Sequence, residues 1–474
     1  MIRTRFAPSP TGYMHIGNLR SALYTYLIAK REGGTFILRI EDTDAERFVD
    51  GATEVIYKTL KMVGLNHDEG PDIGGEYGPY IQSERKETYM EYAKKLIETG
   101  AAYYCFCDKE RLESLQKEGE IGGYDNHCRD IDPKSGLERG SSFVIRQRIP
   151  EGKTTFSDLT FGDITVDNEE LDDQVLIKGD GLPTYNFANI VDDHLMAITH
   201  VVRGVEYLSS APKYNLIYEA FGWDIPEYIH LTHIVKQDGS KLSKRRGDAS
   251  FEDLVALGYL PEAIINYIAL LGWSPGDTRE FFTLEELVEA FDMKGLSKSP
   301  SAFDMNKLTW MNSRYIKDMD ADTFYKMTEQ TLKESVKREG ICHRKLSEIL
   351  QTGINFVKEI PELLDFVDEL PEYSSELYVN KKMKTDEAIA LESLKEVIAY
   401  AEERSEPWIS EDILGELTSL AEKNELKNGQ ILWPIRTALT GKPTSPCGAA
   451  VLMGLLGKEE SIVRMKKGVE VLSK

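Results

Sequence analysis

Apolar positions in the first forty residues switch between two spacings. Ile2 to Ala7 reads as a short strand, and Pro8-Ser9-Pro10-Thr11-Gly12 must be a loop, because two prolines fix the backbone and remove donors. Leu19, Ala22, Leu23, Tyr26 and Leu27 then recur at helical spacing. Gly33-Gly34 stop that helix, and Thr35 to Ile40 carries the pattern of a buried strand. This order predicts the opening of a parallel α/β sheet. Such sheets bind ligands beyond the carboxyl ends of their strands and at helix amino termini, where backbone N–H groups are unpaired. Ser9 to His15 and Glu41-Asp42-Thr43-Asp44 both fall there, which predicts a nucleotide site. The specificity is modest, since many α/β enzymes share the arrangement.

From about Tyr80 the texture changes. A helix rich in Lys and Glu, the pair Cys105 and Cys107, a turn at Gly122-Gly123 and a strand-like run from Ser142 to Arg146 read as an inserted module. Sheet-and-helix texture returns between Gly181 and Leu208, and helical spacing runs through Tyr214, Ile217, Tyr218 and Phe221. A nucleotide-binding domain split by an insertion explains that return. Beyond Ser313 the pattern is almost entirely helical, broken at Pro361, Pro371 and Pro407. Ser445-Pro446 reads as a helix start with a capping hydroxyl. The expected division is 1–80 with 187–235 for the sheet domain, 81–186 for an α+β insertion, 236–320 for a connecting region, and 321–375 and 376–474 for two helical domains. At 474 residues the chain exceeds what one core organises.

Composition narrows the class. With 29% charged and 41% hydrophobic residues the chain is an ordinary globular protein. Neither a secretory leader nor a bilayer-spanning run is apparent, and five cysteines, two of them one residue apart, suit free thiols or metal ligands better than disulfides. A reducing compartment, the cytoplasm, is the expectation. The formal net charge of −23 weighs against a nucleic-acid partner, because phosphate binding needs local positive potential. Location decides, however, and basic clusters occur at Lys236 to Arg246, Lys294 to Lys317 and Lys381 to Lys384. Taken singly, each is more often a solvated face than a footprint.

Two elements carry chemistry. In Pro8 to Gly12 followed by His15-Ile16-Gly17-Asn18, a glycine admits a phosphate chain close to the backbone, and an imidazole and an amide add donors beside a helix amino terminus. A lone histidine in a loop more often only caps a turn. The second element is Lys241-Leu242-Ser243-Lys244-Arg245-Arg246-Gly247-Asp248, preceded by the turn signal Gln237-Asp238-Gly239. Clustered cations on such a loop can neutralise charge moving onto a pyrophosphate leaving group, although an isolated basic run is usually solvated surface.

Together, in this order and this far apart, the two resemble the HIGH and KMSKS motifs of class I aminoacyl-tRNA synthetases. Their settings, Arg5 to Arg20 and Arg39-Ile40-Glu41-Asp42-Thr43-Asp44, resemble the bacterial glutamyl-tRNA synthetases. Further resemblance runs through Gly78 to Arg85, Asp180 to Tyr185, Asn189 to His194, Val202 to Gly204 and Trp310 to Asn312, so it covers essentially the whole chain. Asn18 stands where the second histidine of the nominal motif would be, and the lysine motif reads KLSKR; both variants lie within the family's range.

The resemblance implies a Rossmann-type α/β catalytic domain and an ATP-dependent ligation of L-glutamate to tRNA(Glu). It implies catalytic roles for His15, Lys241 and Lys244, with Mg2+ accompanying ATP. The ATP site would add Pro8, Thr11, Gly12, Gly17 and Asn18 from the first motif, Glu206, and Leu242, Ser243 and Arg245 from the second. Glutamate is a small dianion with one ammonium, so its pocket needs cationic forks and a carboxylate. The family's pocket maps onto Arg5, Ser9, Glu41, Tyr185, Asn189 and Arg203, with Glu41 facing the α-amino group and the arginines facing carboxylates. Which arginine takes which carboxylate stays open, and any one of these residues has the plainer alternative of a core ion pair.

The insertion resembles the acceptor-end binding module of the family, in which some members hold zinc through a Cys-x-Cys pair and a later Cys-x-His. Here Cys105, Cys107 and Cys128 are present, Asp130 stands where that histidine would be, and His127 adjoins Cys128. A structural zinc with Asp130 or His127 as fourth ligand and a set of buried free thiols both remain open. The resemblance also implies stem contact by 236–320, anticodon binding by the helical domains, and a monomer. Leu350 to Asn355 lacks arginine, which favours charging tRNA(Gln) as well. A small-molecule nucleotidyltransferase would explain the first motif but neither the lysine loop nor the helical third. A non-catalytic paralogue would have shed cations that Arg5, His15, Lys241 and Arg203 retain.

Overall fold

The computed structural model describes residues 1–43, 49–117, 124–240, 242, 250–405 and 407–474. They form two compact units, Met1–Leu308 and Thr309–Lys474. In the first, β1 (Arg3–Phe6) leads through α1 (Ile16–Arg31) to β2 (Thr35–Leu38), the predicted opening. Gly33 ends α1 at φ +62, and at Gly34 a Cβ would stand 2.3 Å from the carbonyl oxygen of Ile2. Only a glycine lets this turn pass so close to β1.

The chain continues through α2 (Ala52–Met62), α3 (Lys86–Glu98), β3 (Ala102–Cys105), α4 (Lys109–Lys117), α5 (Lys134–Glu138) and β4 (Val144–Gln147). Then come β5 (Lys153–Asp158), β6 (Gly162–Asp167), β7 (Val175–Ile177), α6 (Tyr185–Leu195), β8 (His200–Gly204), α7 (Ala211–Phe221) and β9 (Glu227–Leu231). After β10 (Ile234–Val235), α8 (Phe251–Ala256), α9 (Pro261–Ala269) and α10 (Leu284–Ala290), β11 (Ser301–Ala302) returns to pair with β10.

The main sheet runs β2-β1-β8-β9-β5-β6, parallel except for the β5–β6 hairpin. From β1 the chain moves outward to β2 on one side, while from β8 it moves outward to β9 on the other. The sheet order therefore reverses between β1 and β8, which opens a crevice at their carboxyl ends. Phe36, Ile37 and Leu38 of β2 and Leu19, Leu23 and Leu27 of α1 are fully buried, so the core sits beneath that crevice and holds it rigid.

The stretch 81–186 folds in two places. Strands β3, β4 and β7 make a three-stranded antiparallel sheet of their own. Ile145, Leu176 and Ile177 of that sheet share a core with Tyr89 of α3, Phe187 of α6 and Ile217 of α7. The β5–β6 hairpin instead joins the main sheet, Asp158 lying opposite Tyr228. The inserted stretch is thus interleaved with the sheet domain rather than set wholly apart.

The second unit is helical as predicted, and Pro361 opens a helix at Ile360–Asp368. The start expected at Ser445-Pro446 comes later: the helix is Ala449–Leu456, with Gly448 at its cap. The Ser445 hydroxyl donates to the Cys447 carbonyl at 2.7 Å, so it closes a turn and caps no helix. Fully buried Arg464 ties the unit together by donating to the carbonyls of Phe366, Leu439 and Val367. Those are carbonyls at helix carboxyl ends, which the helices themselves leave unsatisfied. No helix among the described residues is long and apolar enough to cross a membrane.

Candidate active site

The first motif sits where β1 meets α1. His15 is the amino-terminal cap of α1, its Nδ1 accepting from the Gly17 N–H at 3.0 Å. An Nδ1 that accepts places the proton of the neutral ring on Nε2. A Cβ at Gly17 would stand 3.1 Å from that Nδ1, so a larger residue there presses on the ring. His15 therefore does cap a turn, and it also lines the cleft.

The cleft, of about 540 Å³, gathers both predicted sets of residues. From the ATP set it is lined by Pro8, Thr11, His15, Gly17, Asn18, Glu206 and Leu242, but not by Gly12. From the glutamate set Arg5, Ser9, Tyr185 and Arg203 line it, whereas Glu41 and Asn189 lie behind the wall. Asn189 donates to the Tyr185 carbonyl at 2.8 Å, within its own helix. Lys241, Ser243, Lys244 and Arg245 lie outside the described residues. Leu242 lines the cleft, and Ser250 forms a β-bridge with His15.

Behind the wall lies a buried network of arginines and acids. Arg5 donates to Asp193 through Nε at 2.9 Å and Nη2 at 3.1 Å. Arg39 donates to Asp193 at 2.8 Å and to Glu41 Oε1 at 2.9 Å. Arg85 donates to Asp192 at 2.7 Å, and Gln82 and Tyr89 also donate to Asp192. Burial alone would raise Asp193, but Arg5 and Arg39 outweigh it and hold the carboxyl below its usual range. For Glu41 burial wins over Arg39 and Arg5, and its pKa is raised. Burial likewise lifts the Tyr185 phenol well above its usual value, so it stays a neutral donor.

Arg203, at the end of β8, differs from the other arginines of this network. It is 6% exposed, its Nε and Nη1 have no hydrogen-bond partner, and no carboxylate forms an ion pair with it among the described residues. The rings of Tyr207 and Tyr214 lie 5.1 Å from its guanidinium carbon. Oε2 of Glu41 is equally buried and unpartnered. The cleft floor thus holds a cation with no ion-pair partner among the described residues, which Asp193 reaches only through its field, and the wall hides an unspent carboxylate oxygen.

Sequence reasoning assigned no role to Asp192 and Asp193, the acids that hold the arginines. Their signal was two adjacent acids inside an otherwise apolar helical pattern. Tyr207 and Arg20, which line the cleft, were also missed. Arg20 donates to the carbonyls of Leu271 and Thr232 and so fastens α1 to the far wall.

In the insertion, the sulfurs of Cys105, Cys107 and Cys128 lie within 4.8 Å of one another. The fourth group expected there is not the one found. Asp130 pairs with Arg148 at 3.0 Å and its side chain is 83% exposed, and His127 is exposed and outside the cluster. The group among the sulfurs is the Tyr124 phenol, 3.3 Å from Cys105 Sγ and 3.5 Å from Cys107 Sγ. The Arg146 guanidinium, 3.9 Å from the Tyr124 ring centre, adds positive charge beside it.

A parallel sheet with its cleft at the order reversal, a capping histidine on the first helix and a helical second unit fit a class I aminoacyl-tRNA synthetase. Residues 1–310 match the catalytic domain of the class I tRNA synthetases (E and Q), and residues 311–469 match an anticodon binding domain. The chain belongs to this family. It is 57% identical over 480 residues to the glutamate–tRNA ligase of Clostridium botulinum (strain Eklund 17B / Type B), covering 99% of each. It is 58% identical over 480 residues to that of Clostridium novyi (strain NT), covering 99% of this chain and 98% of the other. Among solved structures, the glutamate tRNA ligase from Elizabethkingia meningosepticum in complex with its amino acid matches with a TM-score of 0.88 at 37% identity, over 99% of both chains.

Proposed function

We infer that this chain is a glutamate–tRNA ligase. A carboxylate oxygen of L-glutamate attacks the α-phosphorus of ATP and pyrophosphate leaves; a ribose hydroxyl of the 3'-terminal adenosine of tRNA(Glu) then attacks the glutamyl adenylate and AMP leaves. No protein nucleophile is needed, so the chain contributes positioning and charge. The observation that carries the reading is Arg203, a buried arginine with two unspent N–H positions, with the free oxygen of Glu41 behind it. A carboxylate meets the first, and the second, behind the wall, adds negative potential for the ammonium, which is the pattern of an amino acid. Arg5 has committed Nε and Nη2 to Asp193, and Nη1 donates to the Val202 carbonyl at 3.5 Å, so its contribution to substrate is through the remaining N–H of Nη1. Tyr185 supplies a neutral donor on the same wall.

Toward ATP, which arrives with Mg2+ as its counter-ion, the amino terminus of α1 and the proton on His15 Nε2 face the phosphates. Pro8, Thr11, Gly17, Asn18, Glu206 and Leu242 shape the cleft. Lys241 and Lys244 neutralise charge as it moves onto pyrophosphate; loss of Lys241 costs about 3 kcal/mol in the transition state. Residues 81–186 receive the acceptor end, 236–320 contact the stem, and the helical domains 321–375 and 376–474 read the anticodon. Cys105, Cys107, Cys128 and the Tyr124 oxygen, an S3O donor set, would hold one structural zinc, which would cross-link two chain segments there.

Charging of purified tRNA(Glu) with radiolabelled glutamate and ATP tests the reading, and no charging would reject it. Running tRNA(Gln) in parallel tests the second acceptor, supported by the arginine-free stretch Leu350 to Asn355. Sedimentation of the free chain tests whether it acts as a monomer.

A further inference from the structure

The peptide that precedes the capping histidine is held by residues far along the chain. The carbonyl of Met14 accepts from the Phe251 N–H at 2.9 Å, and the Met14 N–H donates to Glu252 Oε2 at 3.0 Å. Both hydrogen-bonding groups of Met14 are thus used by the first turn of α8. The other oxygen of the same carboxylate, Oε1, accepts from the Thr59 hydroxyl on α2 at 2.7 Å. Met14 and Thr59 are almost fully buried, at 3% and 2% exposure. One side chain therefore joins three elements: the loop that ends in His15, the helix that follows the lysine motif, and α2.

We propose that Glu252 is a positioning residue for His15, and the proposal rests on the ligase reading above. The imidazole leaves the backbone one residue beyond Met14, and its Nδ1 is already bound to Gly17, so the ring turns with the Met14 peptide. Without the carboxylate, the Met14 N–H is a buried donor with nothing to bond, and the loop must shift to satisfy it. A shift of a fraction of an ångström at Nε2 weakens a donor that acts only when aligned on the reacting phosphates. The effect falls on the chemical step, because Glu252 does not line the cleft that receives glutamate.

The test is a double-mutant cycle on tRNA-dependent ATP–pyrophosphate exchange, with E252A, E252Q, H15A and the pair E252A/H15A. E252A is expected to lower kcat about tenfold while the KM for glutamate moves by less than about twofold. E252Q is expected to restore kcat to within about threefold of the unaltered chain, because its carbonyl still accepts from Met14 and its amide can donate to the Thr59 hydroxyl. In the H15A background E252A should cost no more than about a further twofold, since the residue it orients is gone. Equal losses in both backgrounds, an E252Q variant as impaired as E252A, or an E252A variant that only melts earlier at unchanged kcat would each overturn the proposal. If the unaltered chain fails to charge tRNA(Glu), the ligase reading is what falls.

Discussion

Replacing Arg203 by alanine removes a cleft arginine that forms no ion pair among the described residues. Its Nε and Nη1 are unspent and its Nη2 donates to no described residue, so a substrate carboxylate can take two charge-assisted hydrogen bonds from Nη2 and one of its neighbours. At roughly 1.5 to 3 kcal/mol each, with water partly replacing the lost fork, the cost is about 3 to 4 kcal/mol. That corresponds to a fall of about two to three orders of magnitude in kcat/KM for glutamate. Arg203→Lys keeps the charge but not the fork and should lie between, at about tenfold to a hundredfold. The fold should lose little: removing a buried unpaired cation is favourable, which offsets the loss of contacts to Tyr207 and Tyr214. The assay is tRNA-dependent ATP–pyrophosphate exchange at varied glutamate and saturating ATP, with calorimetry beside it. A kcat/KM for glutamate within about threefold of the parent, or a KM for ATP that rises as steeply as that for glutamate, would refute the assignment.

Asp193→Asn strands Arg5 in the core and takes one of its acidic partners from Arg39, and should cost about 3 to 5 kcal/mol at neutral pH. Because the folded-state pKa of Asp193 lies below its ordinary value, its stabilisation is present above about pH 3.9 and fades as pH falls through the folded value. The gap in melting temperature between parent and variant should therefore be wide at pH 7 and close toward pH 3, and a gap independent of pH would show that charge is not the cause. Elemental analysis should find zinc in the purified chain, and Tyr124→Phe should speed its loss to a chelator about tenfold; equal loss rates would remove Tyr124 from the ligand set. Burial pushes the Cys447 thiol up to about 12, so at pH 8 it should resist iodoacetamide while exposed Cys342 alkylates, as peptide mass spectrometry would record.

Much of the sheet domain is legible because its signals are local. The apolar run of β2 and the glycine pair before it belong to one turn and one strand, and they folded as the pattern predicts. The β5–β6 hairpin was not singled out as strands, nor as part of the main sheet. Its alternating burial shows that one face is covered, yet not which partner covers it, since pairing with β9 joins residues 158 and 228. Ser445-Pro446 misleads for a related reason: a hydroxyl that suits a helix cap also suits a turn, and the Cys447 carbonyl took it. In the site, Ser9 and His15 announce themselves by position at the end of β1, while Arg203 rests on the family resemblance and on the charge a dianion requires. Tyr124 does not, because a lone tyrosine is ordinarily core, and only its closeness to three sulfurs distinguishes it.

The acids missed in the sequence explain why the cleft can be selective in a chain of net charge −23. Each partnered arginine, Arg5 and Arg39 with Asp193 and Arg85 with Asp192, has met its desolvation cost within the fold. Such arginines are rigid, and an arriving anion would have to displace a carboxylate to use their committed N–H groups. Arg203 makes no such pair among the described residues and feels Asp193 only at a distance, so a ligand carboxylate there displaces no partner. An amide in its place would leave a buried cation uncompensated, the kind of mismatch that discriminates by orders of magnitude. Net charge enters weakly, because screening over about 8 Å at physiological salt separates the surface from this floor. What governs binding is which buried group remains unanswered, and in this cleft that group is a cation.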